Sequence, residues 1–229
     1  VTDDEQYPDG LGTLTLADGP WTKSEAPEGA EFTEFGPLLV PALPGMQARL
    51  EIDPQRGEVG AVTVRIADCA VQLQVIAKRP GVSLWTDTRQ QLLANLRRRA
   101  GYQQVVEGRF GAEVIATITG RTTEGGLVDA IMRFQGIEGD RWMIRAASSG
   151  PSVTVDGVVA RMDAFLSRCA VDVSAARLGT DDPEPGTVLP LGDAPGEADL
   201  DALRAAAAAD AAAGDAGDTP DAGAPGADS

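Results

Sequence analysis

The chain has 229 residues, no histidine, two cysteines and a formal net charge of −16. Without histidine it has neither Ser-His-Asp nor Cys-His nucleophilic machinery and no histidine-ligated metal site. Its acidity argues against general affinity for nucleic acid or anionic membrane, both of which need clustered Lys and Arg.

The charge is unevenly placed. Residues 1–36 carry nine acids against one lysine, residues 181–229 twelve acids against Arg204, and residues 37–180 fourteen acids against seventeen bases. The middle has the size of one domain with its own core. The expected map is therefore an acidic, mostly disordered segment at 1–36, a single domain at 37–178, and an acidic Ala/Asp/Gly/Pro-rich disordered tail at 179–229.

In chain order, Phe32 and Phe35 are where the N-terminal segment begins to touch the domain. The run PLLVPALPG from Pro37 reads as an extended edge segment, because Pro41 and Pro44 are unsuited to a central strand. Residues 46–52 alternate as a strand, with Met46, Ala48, Leu50 and Ile52 on one face. The DPQRG stretch at 53–57 is turn chemistry, and 59–66 and 70–77 are two valine-rich strands.

The spacing of Trp85, Leu92, Leu93 and Leu96 predicts a helix over 83–100. Ser83 is its N-cap, Arg97, Arg98 and Arg99 sit at its C-terminal end, and Gly101 stops it. Strands resume at 103–107, 113–119, 127–137 and 142–147. Turns lie at 108–111, at 122–126 and at Glu138-Gly139-Asp140. A second helix is expected at 158–168 and a short strand at 169–173. In the tail, 197–213 has the alanine content of a transient helix, and Val188-Leu189-Pro190-Leu191 is an apolar patch suited to docking on the domain. Strands in blocks around few helices indicate an α+β fold. The expected form is a largely antiparallel sheet of about six or seven strands, with one long and one shorter helix packed on one face.

Period-two geometry places Trp142 and Ile144 on one face of their strand and Arg141, Met143 and Arg145 on the other. Trp142 reads as core. Arg133, on the preceding strand, joins Arg141 and Arg145 if the hairpin pairs around Glu138-Gly139. Such a set suits a carboxylate or phosphate ligand, which guanidinium binds in a bidentate fork. The competing reading is cross-strand pairing of these arginines with Glu113, Glu124 or Asp129 on a wet sheet face. Glu107 and Glu113 form an acid/base pair only if their side chains converge across the 108–111 turn. Cys69 and Cys169 read as reduced core residues. Neither a P-loop nor a dinucleotide fingerprint occurs, and the expectation is no catalytic residue, no metal and no cofactor. No stretch approaches the 18 consecutive apolar residues of a bilayer span. The N-terminus shows no signal-peptide pattern, so the expected location is cytoplasmic.

The ordered set GPLLVPALPG, RLEIDPQRGEVGAVTV, AVQLQVIA, GRFGAEV and RFQGIEGDRWMIRAASSG resembles the actinobacterial family of uncharacterised proteins named for domain of unknown function 3710. The resemblance runs from about Phe35 to Val173, with an echo at Val188-Leu189-Pro190-Leu191. Two departures stand out. The family's usual G-P-R-W appears as Gly139-Asp140-Arg141-Trp142, and its Arg-Gly after the last helix is absent where Ala170-Val171-Asp172-Val173-Ser174 stands. The resemblance implies a cytoplasmic actinobacterial protein, encoded in many members near a dUTP-hydrolysing enzyme, and supplies no activity. The residues favour a non-enzymatic binding or adaptor domain acting through protein–protein contacts with an unidentified protein partner or as a homodimer. The alternative is a protein binding a small anionic ligand, a nucleotide or phosphate-type group, through Arg133, Arg141 and Arg145.

Overall fold

Two valine-rich alternations lay down the centre of the molecule. Val62, Val64 and Ile66 on one strand and Val71, Leu73 and Val75 on the next are fully buried, and the two-residue turn Ala67-Asp68 brings them face to face in register. Ala67 makes that turn with φ 54°, a conformation that costs a side chain with a Cβ. In this computed structural model the described residues are 16–43, 45–98, 102–121, 126–174 and 184–192. They fall in one compact unit. The stretches at 1–15, 193–229, Arg99 and Gly101 lie outside them, and so do Glu124 and the expected tail helix.

The strands are β1 (Trp21–Thr22), β2 (Phe32–Phe35), β3 (Leu38–Pro41), β4 (Ala48–Asp53), β5 (Glu58–Ile66), β6 (Cys69–Ala77), β7 (Gln103–Gly108), β8 (Gly111–Arg121), β9 (Leu127–Glu138), β10 (Trp142–Ser149) and β11 (Ala170–Val171). The helices are α1 (Leu84–Arg97) and α2 (Asp156–Leu166). A seven-stranded antiparallel sheet has the order β4-β5-β6-β10-β9-β8-β7, and a four-stranded sheet has the order β1-β11-β3-β2. The expected α+β class with a largely antiparallel sheet holds. Among the described residues no helix is long and apolar enough to cross a membrane.

The helices do not share one face. On β10, Trp142, Ile144 and Ala146 pack into the main core with Met162, Phe165 and Leu166 of α2 and with Leu38 and Val40 of the small sheet. Met143, between them on the strand, points the other way to Trp85 of α1, and Leu96 of α1 packs on Val114 and Ala116 of β8. The sheet is thus the middle layer, with α2 and the small sheet on one side and α1 on the other. Ile76 of β6 and Met143 of β10 lie on the second face, so helices on the first face alone would leave them wet.

The chain expected to lie outside the domain before residue 37 forms β1 and β2. β3 is internal in its sheet, flanked by β2 and β11, and its Leu38, Leu39 and Val40 are fully buried. Pro41 is tolerated there because β11 reaches only Leu38 and Leu39, so no donor is demanded of the proline.

The patch at 188–191 docks as a plug. β5 pairs with β6 only from Val62 onward, leaving the start of β5 and the end of β6 splayed. Residues 187–192 fill the opening. The Ala77 amide donates to the Thr187 carbonyl, Leu189 N–H to Val75, Leu191 N–H to Val59, and Val59 N–H back to Gly192. Leu189 and Leu191 enter the main core.

Candidate functional site

The hairpin between β9 and β10 decides what the predicted arginine site becomes. Glu138 pairs with Met143 and every later pair keeps that register, so Arg133 stands opposite Ser148 and Gly136 opposite Arg145. Cross-strand partners share a face. An even number of residues in the turn therefore puts odd-numbered β9 residues with even-numbered β10 residues, and Arg133 lies on the α2 face while Arg145 lies on the α1 face. The structure does not bring the two together.

Arg133 is 2 % exposed and is held in a buried ion cluster. Its Nε donates to Glu113 Oε1 at 2.9 Å and its Nη2 to Asp163 Oδ1 of α2 at 3.0 Å. Gln135 Nε2 reaches the same Asp163 oxygen at 3.4 Å. Glu113 is a partner the competing reading named, but the pair is buried rather than on a wet sheet face, and its second carboxylate comes from α2. Removing one partner of such a cluster leaves an uncompensated buried charge. The cluster stitches β8, β9 and α2 together at the limit of the apolar core.

Arg145 is half-buried, its guanidinium donates to Gln74 Oε1, and burial lowers its pKa from the ordinary value. It belongs to a polar network across the helix-free part of the α1 face. There Glu51 of β4 accepts from Thr63 of β5 and from Gln72 Nε2 of β6 at 2.5 Å. Farther along, Gln47, Arg49, Thr63, Arg65, Asp68 and Ala70 line an open groove of about 380 Å³. Its arginines are directed to local acceptors, Arg49 to Glu51 at 3.5 Å and Arg65 Nε to the Ala67 carbonyl at 3.2 Å. Asp68 is held below the usual carboxylate range chiefly by the Ser152 hydroxyl, which donates to it at 2.9 Å. Arg141 is exposed in the β9–β10 turn, and its carbonyl accepts from the Lys78 amide at 3.0 Å.

Glu107 and Glu113 do not converge. Glu107 pairs with Ala112, and Glu113 with Val106, so their side chains leave opposite faces of the β7–β8 hairpin; Glu107 is exposed and Glu113 buried. Cys69 and Cys169 are free and buried. Burial pushes the Cys69 thiol up to about 11 and raises Cys169 further, so neither offers a thiolate near neutral pH. Among the described residues no group of three or more Cys, Asp and Glu side chains is placed to hold a metal ion.

The feature that residue chemistry alone did not point to is the outer edge at β7. Tyr102 accepts the Thr117 amide at 2.8 Å, and the register continues through Gln104 with Ile115 and Val106 with Glu113. Hydrogen-bonded and non-bonded pairs alternate in an antiparallel ladder. Gln104 and Val106 thus spend their backbone groups on β8, while those of Gln103, Val105 and Glu107 point outward, where no described strand pairs with them. Val105 is 47 % exposed and Tyr102 63 %. β9, one strand further in, carries Leu127, Val128 and Ile131, all exposed. A short run without proline and with a single acid, Gln103–Gly108, was the sequence signal available for such an edge.

The opposite edge is guarded. β4 carries three charged side chains in six residues, Arg49, Glu51 and Asp53, which discourage strand addition; the register shift beside them puts its extra residue, Gly60, on β5.

No curated protein matches this chain. The model of the family described as Protein of unknown function (DUF3710) matches residues 19–192, which takes in β1 through β11 and the plug, and the chain belongs to that family.

Proposed function

We propose that this chain is a binding or adaptor domain that acts through protein–protein contacts, with the β7 edge as its contact. The observation that carries the reading is the outward row of backbone donors and acceptors at Gln103, Val105 and Glu107, with which no described strand pairs, on an unbulged strand with exposed Tyr102 and Val105. An extended segment added there gains main-chain hydrogen bonds for affinity and side-chain contacts for specificity. The buried, free cysteines fit a reducing, cytoplasmic setting. We place this reading above the anion-site alternative because Arg133 and Arg145 occupy opposite faces and Arg133 pairs with two carboxylates.

The test is Val105→Pro in the full chain. The Val105 amide points away from β8, so proline removes only an outward donor, a position where edge strands tolerate it. Thermal stability should stay close to wild type, while self-association or capture of a partner is lost. Hydrogen exchange should show Gln103, Val105 and Glu107 amides protected on binding. If the variant folds and binds as wild type does, the reading fails.

A further inference from the structure

We propose that the occupant of the β7 edge is β7 of a second copy of this chain, paired antiparallel with Val105 on the twofold axis; this rests on the edge-binding reading above and names its partner. A twofold between antiparallel strands sets Val105 opposite itself and Gln103 opposite Glu107 of the other copy. These are the residues whose backbone groups point outward. Each of the three therefore donates once and accepts once across the axis, in the narrow-pair geometry of an ordinary ladder.

The side chains select that register. Val105 meets Val105, extending an apolar contact across the axis, and the strand's one charge, Glu107, faces the neutral Gln103. Moving the axis to Glu107 puts two carboxylates directly opposite each other, which is destabilising. Moving it to Gln103 carries Glu107 out of the ladder and forfeits its hydrogen bonds.

The other edge determines that the assembly closes. A β7 strand laid on β4 would propagate head to tail into a filament, but β4 carries three charged side chains in six residues, Arg49, Glu51 and Asp53, of the kind that discourage strand addition. The isologous β7–β7 contact uses one patch twice and stops at two copies.

Light scattering on the full chain across a concentration series should give about twice the 23.7 kDa chain mass, and Val105→Pro and Val105→Lys should both return it to one copy. Val105→Cys adds one exposed thiol to a chain whose own cysteines are buried. Under mild oxidation it should form a covalent dimer, because partners in a narrow pair lie within disulfide reach. Gln103→Cys should not, since its two copies would stand about 14 Å apart along the ladder. A wild-type chain that stays monomeric, or equal crosslinking by both cysteine variants, overturns self-pairing. A monomeric wild type whose capture of another protein is abolished by Val105→Pro overturns self-pairing and leaves the edge-binding reading standing. A monomer whose capture ignores Val105→Pro overturns both.

Discussion

The two halves of the seven-stranded sheet face the same problem, a β-sheet with unpaired edges and two apolar faces, and meet it in opposite ways. In the β4-β5-β6-β10 half, α2 and the small sheet cover one face, a polar network fills the other, residues 187–192 plug the split between β5 and β6, and the edge strand carries Arg49, Glu51 and Asp53. In the β7-β8-β9 half, α1 covers one face near the core, β7 presents an unbroken outward ladder, and the far end of the β8–β9 hairpin carries exposed Leu127, Val128 and Ile131. One half is built to be finished by its own chain. The other is left in the state in which sheets acquire partners.

If this contrast is right, substitutions in the closed half should cost stability and those on the open edge should cost association. The largest loss is expected where the halves meet. Arg133→Ala strands the buried Glu113 and Asp163 carboxylates and should lower unfolding free energy by about 3–5 kcal/mol in urea titration. Arg133→Ala together with Glu113→Gln should recover part of it. Next, Leu189→Ala truncates a plug residue that is 2 % exposed and should cost about 2–5 kcal/mol by the same measurement. A loss near zero would mean that the plug rests on the sheet without holding it closed.

A smaller effect tests how α1 is fastened. Its first amides, Leu84 and Trp85, donate to Glu138 Oε1 at 2.6 and 3.2 Å, and the Ser83 hydroxyl donates to Oε2 at 2.8 Å. A carboxylate from β9 thus caps a helix N-terminus distant in sequence. Glu138→Ala should cost about 0.5–2 kcal/mol, read as a lower melting temperature. Val105→Pro, the edge variant, should move stability least of all while changing association most; that reversal of order between the two readouts is the sharpest check on the comparison.

Much of the secondary structure was legible because it is local. Ser83 accepts from the Thr86 amide as an N-cap, and the alternation of 59–66 and 70–77 gives β5 and β6 almost to the residue. Trp142 is core, as its period-two position required. The arginine site was not legible, because its convergence depended on whether the Glu138–Met143 turn holds an odd or an even number of residues. A one-residue difference there moves Arg133 from one face to the other. The small sheet was missed for a related reason. β1 and β11 are two residues each, too short for periodicity, and pair residues 149 positions apart, Trp21 with Ala170.

The sequence by itself determined the element types, the antiparallel α+β class, the absence of histidine chemistry and the apolar character of Val188-Leu189-Pro190-Leu191, since composition and periodicity act within a few residues. Tertiary structure alone decided that the helices divide between two faces, that Arg133 is neutralised by Glu113 and Asp163, that residues 187–192 close the gap between β5 and β6, and that no described strand pairs with the outer edge of β7. Each of these depends on which distant segments pair and in what register. That choice is set by burial summed over the whole sheet, and no local pattern contains it.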